Sequence, residues 1–528
     1  MPVPAIENDT HRVPRPLIDA LLQRGTFGRP DRSEVIETHI SWVILTDTLA
    51  YKIKKPVKPG FLDFSTLELR RRACMEELRV NRRLMPEYYL DVIAIYGSVE
   101  EPVLEPDGPI VEYAVLMRRF PPGAVLSEAT APQIADHELD ALAELIGQFH
   151  RGLPPAPAGD PRNTPEKIRE PVDSSLAQLR ELLRHDSDRS LLQPVHHFID
   201  QEFERTTALM RQRQAAGFIR ECHGDLHLGN LARIGGRIVP FDALEFDPAL
   251  RWIDVLNEVA FLVMDLEMHG KHHAGFRFLN RYLDLTGDHA GLPVVPFYLA
   301  YRAIVRAKVA ALSPDRCPAE RQLSIRRLLQ YAADPRTGSG PLLVLMCGIS
   351  GSGKSYLATR LALALPAIHV RSDVERKRLF GLDARARTAS GVAQGIYAPG
   401  ASARTYAQLN ELAAAVIESR LPVIVDATNL RHEQREPFLQ LARETGCPSV
   451  ILVCHCDPAL IDSRVKQRQN DAHDPSEASQ TVVRRQRPGF EPPDAAAATL
   501  VIEIDTGQPQ SLDELAVRLR ALLPRPTP

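Results

Sequence analysis

Between Leu342 and Ser355 the chain reads LLVLMCGISGSGKS, an apolar run closed by a glycine- and serine-rich turn. The turn, Gly348 to Ser355, fits G-x-x-x-x-G-K-[ST] at every fixed position. The run before it reads as a buried strand, and the turn opens a helix. In that setting glycines let backbone amides turn inward around phosphate oxygens, and the helix N-terminus favours the same anion. Gly348, Ser350, Gly351, Ser352, Gly353, Lys354 and Ser355 are therefore candidate nucleotide-holding residues. Lys354 would reach the β- and γ-phosphates, and the Ser355 hydroxyl would face Mg²⁺.

After the turn, apolar runs (AIHVRSD, PVIVDAT, SVILVCH, TLVIEID) alternate with helical stretches, which predicts a parallel sheet covered on both faces. Asp373 in RSDVERKRL comes nineteen residues after Lys354 and is expected to end the second strand, at the sheet edge that faces the nucleotide. There it could take a proton from an attacking hydroxyl. Arg376, one helical turn on, could hold an anionic group of the acceptor. A helix N-cap and a surface arginine are the plainer reading of the same pair. Asp426 ends PVIVD, a placement suited to positioning Mg²⁺. Arg464 and Arg468, four apart on one helix face, could close over the phosphates, or could form a solvated charged face. Residues 341 to about 525 resemble the P-loop kinases related to polynucleotide kinase and zeta toxins, through GISGSGKS, RSDVERKRL, VDATN and RVKQR…DPSEAS…RRQRPGFEPP. The resemblance implies phosphoryl transfer from ATP, with Asp373 as acceptor-activating base and Arg376 on the substrate. It leaves the acceptor open, from nucleic-acid ends to small sugars and antibiotics.

The first half carries a second constellation. ECHGDLHLGN places Asn230 five residues after Asp225, the H-x-D-x-x-x-x-N spacing of a kinase catalytic loop, with His223 bracing it. Asp225 would orient or deprotonate a hydroxyl and Asn230 would hold Mg²⁺. Asp242, seventeen residues after Asp225 at the end of RIVPFD, is placed to bind Mg²⁺ as well. Upstream, ETHISWVILTDTLAYKIKKP reads as two strands around a Thr-Asp-Thr turn. Lys52 and Lys54 share a face there, and Lys52, central in the apolar strand, is the candidate for the α- and β-phosphates. The next segment is a helix whose start is read from Ser65 and Glu68 as a capping box. It offers Glu77, or its neighbour Glu76, as the lysine's partner. Residues 30 to 310 resemble the aminoglycoside phosphotransferase group of protein-kinase-like enzymes, and Cys222 to Asp254 carry most of the likeness. By that resemblance Asp254 is structural. The group's glycine-rich loop has no counterpart in THISWVILTDT.

The expected architecture is multi-domain: a protein-kinase-like α+β domain followed by an α/β P-loop NTPase domain with a parallel sheet. The proline-, glycine- and serine-rich seam Ala333 to Pro341 divides them, giving a kinase-like domain over 1–334, a linker over 335–340 and a P-loop kinase domain over 341–528. A looser stretch from Arg151 to Pro165 separates a mostly β lobe from helical segments at about 174–216 and 252–286. The length of 528 residues suits several domains. A net charge of -3, with no basic tail or aromatic-basic interleaving, disfavours nucleic acid as the partner and points to small-molecule hydroxyl acceptors. Seven cysteines without a CxxC pair argue against a disulfide framework or a zinc site, including at Cys454-His455-Cys456. The His-rich HHF and HGKHH have no carboxylate at ligand spacing. No signal or membrane-spanning run is visible, so a cytoplasmic protein is expected. The leading expectation is two ATP·Mg²⁺ sites, each transferring a γ-phosphoryl group. A regulatory first half, a nucleic-acid end kinase and an ATP-driven switch stay open beside it.

Overall fold

The computed structural model describes residues 15–58, 62–126, 134–157, 159–312, 317–335, 340–384, 386, 388, 394–469, 479–494 and 498–523. Two compact units emerge. The first comprises the described residues within 1–142, 152–163 and 217–258, and the second those within 143–151, 164–216 and 259–528.

In the first unit a six-stranded antiparallel sheet runs in the order β1-β2-β3-β6-β4-β5. Its strands are β1 (Glu34–Glu37), β2 (Ser41–Leu45), β3 (Leu49–Lys54), β4 (Tyr89–Gly97), β5 (Pro102–Val103) and β6 (Ile110–Arg118). The segment read as two strands around a Thr-Asp-Thr turn forms β2 and β3, and β1 precedes it across a bend at His39 and Ile40. Alternation sorts β3 cleanly. Tyr51 and Ile53 pack with Leu17, Leu21 and Trp42 on one face, while Ala50 packs with Cys74 and Leu78 of the Leu67–Arg82 helix on the other. Lys52 and Lys54 share the face of Ala50 and so meet that helix. The helix begins one residue later than its capping-box reading. Thr66, not Ser65, is the N-cap, accepting the Leu69 amide at 3.2 Å, and the Ser65 hydroxyl is taken by Asp63 at 2.6 Å.

Four further strands complete this unit. β7 (Ile219–Glu221) pairs with β10 (Trp252–Asp254), and β8 (Leu231–Ile234) forms a hairpin with β9 (Arg237–Pro240). The segment from Trp252 is therefore strand before it is helix. The HGDLHLGN loop spans the gap between β7 and β8.

In the second unit a parallel five-stranded sheet has the order β12-β13-β11-β14-β15. β11 is Leu342–Cys347, β12 Ile368–Arg371, β13 Pro422–Asp426, β14 Ser449–His455 and β15 Leu500–Asp505. All six residues of β11 are buried, as a central strand covered on both faces requires. The Lys354–Ala364 helix packs its Leu357 and Leu361 on one face, against Leu342, Val344 and Val450. The helices Pro165–Leu182, Leu192–Ala215, His272–Thr286, Val295–Leu312 and Pro318–Ala333 belong to this same unit. No helix among the described residues is long and apolar enough to cross a membrane.

Candidate active sites

The first constellation is assembled inside the first unit. Lys52 Nζ lies 2.8 Å from Glu77 Oε1 and is also ion-paired with Asp242. Lys54 Nζ lies 2.5 Å from Glu77 Oε2 and is paired with Glu245. One glutamate thus holds two lysines, one on each carboxylate oxygen. Burial pushes the Glu77 carboxyl up, and the two ammonium groups outweigh it and leave its pKa below the ordinary range. Glu76, one residue away and rotated about 100° around the helix, pairs with Arg79 and Arg251 instead. Side-chain exposure separates the groups: Glu77 and Lys54 are sealed at 0%, whereas Asp242 and Asp225 keep 39%. The open carboxylates are the ones able to meet a ligand.

Backbone geometry aims them. Asp242 sits at φ 60°, in the left-handed region an aspartate enters only when held there. Its amide donates to the Tyr89 hydroxyl at 3.1 Å, and the next amide, Ala243, donates to Asn81 Oδ1 at 2.8 Å. Asn81 is one helical turn beyond Glu77, so a single helix face fixes both the lysine and the Asp242 turn. In the HGDLHLGN loop Gly224 has φ 89°, and a Cβ there would meet Leu250 O at 3.0 Å and Arg251 Cβ at 3.1 Å, so only glycine fits. His223 Nε2 is 2.9 Å from the Phe241 carbonyl and therefore carries the proton, while Nδ1 accepts the Asp225 amide at 3.3 Å. Burial lowers the pKa of this imidazole, consistent with the neutral tautomer those two bonds require. Asn230 Nδ2 donates to Asp225 Oδ2 at 2.8 Å and to the Asp225 carbonyl at 3.0 Å. Because its amino group is committed to Asp225, its carbonyl oxygen is the atom left to face a cation. Asp254 is buried and caps the Leu256 amide at 2.9 Å.

The second constellation lies in the second unit. Gly348, Gly351 and Gly353 all have positive φ. A Cβ on Gly348 would stand 2.4 Å from the Cys454 carbonyl oxygen, and one on Gly353, at 86°, would stand 2.8 Å from Thr506 Oγ1 and 3.1 Å from Arg464 Nη1. Arg464 donates to the Thr506 hydroxyl at 2.9 Å and its carbonyl at 2.8 Å, and the Thr506 hydroxyl donates to the Ser352 carbonyl at 2.7 Å. Arg464 is thereby anchored beside the loop. Arg468 follows on the same Pro458–Gln469 helix, and its side chain lies outside the described residues. Lys354 Nζ donates to the Ile349 carbonyl at 2.9 Å, and the Ser350 amide donates to Gln486 Oε1 at 2.8 Å. Asp426 ends β13, 5% exposed, with Oδ2 3.3 Å from His369 Nε2. Burial raises the Asp426 carboxyl, but His369, Arg371 and Lys354 together hold it at about 2. Asp373 is not a strand end: β12 stops at Arg371 and Asp373 sits in the first turn of the Ser372–Leu379 helix. Arg376, on that helix, is buried and stacks over Tyr397 at 5.0 Å, with Nη1 near the Ile396 carbonyl at 3.2 Å and the Ser402 hydroxyl at 3.3 Å. Beside the loop a cleft of about 640 Å³ is lined by Tyr356, Arg360, Arg464, Thr506 and Gln510.

Both halves match known families. Residues 61–267 match the Phosphotransferase enzyme family, and residues 343–493 match an AAA domain family. A Mycobacterium tuberculosis H37Rv protein, titled Uncharacterized protein Rv2004c, is 30% identical over 440 residues, 82% of this chain and 86% of the relative. The chain belongs to that relative's family. The protein is a phosphotransferase enzyme, with a kinase-like domain followed by a P-loop kinase domain. Among solved structures, choline kinase from Cryptosporidium parvum Iowa II is similar at 14% identity over 61% of this chain and 96% of that chain, TM-score 0.36. A gluconokinase from Sinorhizobium meliloti 1021 is similar at 22% identity over 35% of this chain and 91% of that chain, TM-score 0.23.

Several groups in the candidate sites of this family member carry no sequence signal of their own. Glu245 and Asn81 become visible only once β3, the Leu67–Arg82 helix and the Asp242 turn converge. His227 stands 3.6 Å from Asp225 Oδ2, its Nδ1 accepting the Gly229 amide at 3.1 Å. Only its place inside HGDLHLGN could have marked it. His369 and Gln486 reach the second site from a strand and from a short helix whose sequences look structural.

Proposed function

We propose that this enzyme is a bifunctional ATP-dependent phosphotransferase, with a kinase-like domain over 1–334, a linker over 335–340 and a P-loop kinase domain over 341–528. Each half binds its own ATP and transfers the γ-phosphoryl group to a hydroxyl, most simply that of a small molecule. The observation that carries this is the Lys52–Glu77 pair at 2.8 Å with Asp242 on the same lysine. A half that merely sensed nucleotide would need no such set beside Asp225 and Asn230.

In the first site Lys52 holds phosphate oxygens while Glu77 fixes its ammonium group. The Asp225 carboxylate, kept in place by Asn230, accepts the proton of the acceptor hydroxyl as the oxygen attacks the γ-phosphorus. The bond from that phosphorus to the bridging oxygen of the diphosphate breaks, and ADP leaves. Asn230 and Asp242 are the oxygen donors suited to Mg²⁺ in this site. In the second site the loop amides and Lys354 hold the phosphates, and Arg464 neutralises charge from the flank. The cleft beside the loop has the size of a ligand pocket and suits the nucleoside end of ATP. Asp373 accepts the acceptor's proton, and Arg376 holds the wall of the acceptor pocket through Tyr397. Ser355 and Asp426 are the oxygen donors suited to Mg²⁺, and Asp426 is ionised throughout the physiological range. Mg²⁺, when bound, neutralises developing charge on the phosphate oxygens.

The test supplies purified enzyme with γ-labelled ATP and a fractionated cell extract. Asp225→Ala should abolish one set of labelled products and Asp373→Ala a different set. If Asp225→Ala leaves every product intact while Asp373→Ala removes them all, the first half does not transfer phosphate.

A further inference from the structure

The edge of the parallel sheet is occupied by a side chain. β12 is the outermost strand, and its outward-facing backbone groups at Ala367 and His369 have no neighbouring strand. Asn280, from the His272–Thr286 helix, takes both: its Nδ2 donates to the Ala367 carbonyl at 2.9 Å, and its Oδ1 accepts the His369 amide at 2.8 Å. The second Nδ2 proton goes to the Phe276 carbonyl of its own helix at 2.9 Å. Both amide protons and the carbonyl oxygen are thus engaged, and a flipped amide would set N–H against N–H. His369 is 7% exposed and directs Nε2 to Asp426 Oδ2 at 3.3 Å. The same helix also holds the next segment, since Arg378 of the Ser372–Leu379 helix donates to the Asp284 carbonyl at 2.5 Å and the Leu283 carbonyl at 3.3 Å.

We infer that Asn280 and His369 are positioning residues of the second site. Asn280 pins the backbone from which His369 orients the Asp426 carboxylate through its Oδ2. A helix encoded well before the Ala333 to Pro341 seam is therefore part of the P-loop kinase site. The inference rests on the reading that Asp426 serves Mg²⁺ binding in that site.

The test uses the full-length chain carrying Lys52→Met, which removes the lysine proposed to hold phosphate at the first site. Methylanthraniloyl-ATP is titrated in EDTA and at rising MgCl₂. Asn280→Ala should raise the Mg²⁺ concentration for half-maximal binding at least five-fold and leave affinity in EDTA within two-fold. His369→Asn should do the same, and the double variant should be no worse than His369→Asn alone. Equal losses with and without Mg²⁺, or an unchanged Mg²⁺ requirement, overturn the inference. If Asn280→Ala does not fold, His369→Asn, which leaves the Asn280 contacts intact, decides by the same criterion. Asp426→Asn in the same background separates the two claims. If it leaves the Mg²⁺ requirement unchanged, the reading of the site fails. If it raises the requirement while the other variants do not, only the positioning role fails.

Discussion

Lys54 and Lys52 sit on one face of β3 and share Glu77, yet substitution should cost mainly stability at Lys54 and mainly nucleotide affinity at Lys52. Consider Lys54→Met, which preserves most of the volume and removes the charge. Glu77 keeps Lys52, but Glu245, whose side chain is only 4% exposed, loses the cation paired with it. Burial already holds the Glu245 carboxyl above its ordinary value of 4.5 with Lys54 in place. Without Lys54 its pKa rises further, and near neutral pH it folds protonated. Keeping such a group neutral at pH 7, when it ionises in the unfolded chain near 4.5, costs about 3 kcal/mol at 1.36 kcal/mol per unit. That agrees with the ~3–5 kcal/mol found when one partner of a buried pair is removed. For a unit of this size about 3 kcal/mol corresponds to a melting shift of roughly 6–12 °C. The sign fixes a second feature. A group with a raised folded pKa contributes its stability fully below the unfolded value and loses it as pH rises, so the deficit of Lys54→Met should shrink between pH 7 and pH 5. Differential scanning calorimetry of the full chain at both pH values measures it. Adding Glu245→Gln should recover most of the loss. A shift under 2 °C at pH 7, or no recovery in the double variant, would refute the reasoning.

The other outcomes are simpler. Lys52→Met should cost the first site at least ten-fold in ATP affinity, read by calorimetric titration in a Lys354→Ala background, while moving the melting temperature less than Lys54→Met does. Gly353→Ala should weaken nucleotide binding at the second site ten-fold or more, because a Cβ at φ 86° meets Thr506 at 2.8 Å, and equilibrium binding in the Lys52→Met background tests it. Burial raises the Glu267 carboxyl from 4.5 to about 7, although the Tyr331 hydroxyl donates to it at 2.5 Å. Its contribution is therefore full below pH 4.5 and is lost as pH climbs to 7, about 3 kcal/mol in all. Glu267→Gln should remove that much of the decline between pH 5 and pH 8 in thermal melts.

The parts legible in sequence were those whose geometry is local. A phosphate-binding loop is eight consecutive residues, and the Asp225 to Asn230 spacing closes on itself through two hydrogen bonds from Asn230 Nδ2. Strand alternation put Lys52 and Lys54 on one face before any partner was known. The choice between Glu76 and Glu77 was not legible, because adjacent helical residues differ by about 100° and the side that faces β3 is set by packing. The end of β12 was missed by two residues. Helix-favouring VERKRL follows at once, and the edge strand is stopped by where Asn280 and the helix meet it. Arg376 read as a surface or substrate arginine, since its sequence neighbours are charged. Its burial comes from Tyr397 and Ser402, more than twenty residues away at their nearest.

The two sites differ in how their charges are satisfied, and this bears on why one chain carries both. In the first, Lys52 is already held by Glu77 and Asp242, and a left-handed aspartate is secured by Tyr89 and Asn81. Its geometry is set by buried ion pairs, so a ligand enters a framework that needs little rearrangement. In the second, the phosphate-binding groups are engaged with the loop's own surroundings, Lys354 with the Ile349 carbonyl and the Ser350 amide with Gln486. A triphosphate bound there would take the place of these contacts. The Asn280–His369–Asp426 chain reaches the second site from a helix that precedes the seam in sequence. On the proposed reading, the second site thus takes a positioning residue from a helix that precedes the Ala333 to Pro341 seam.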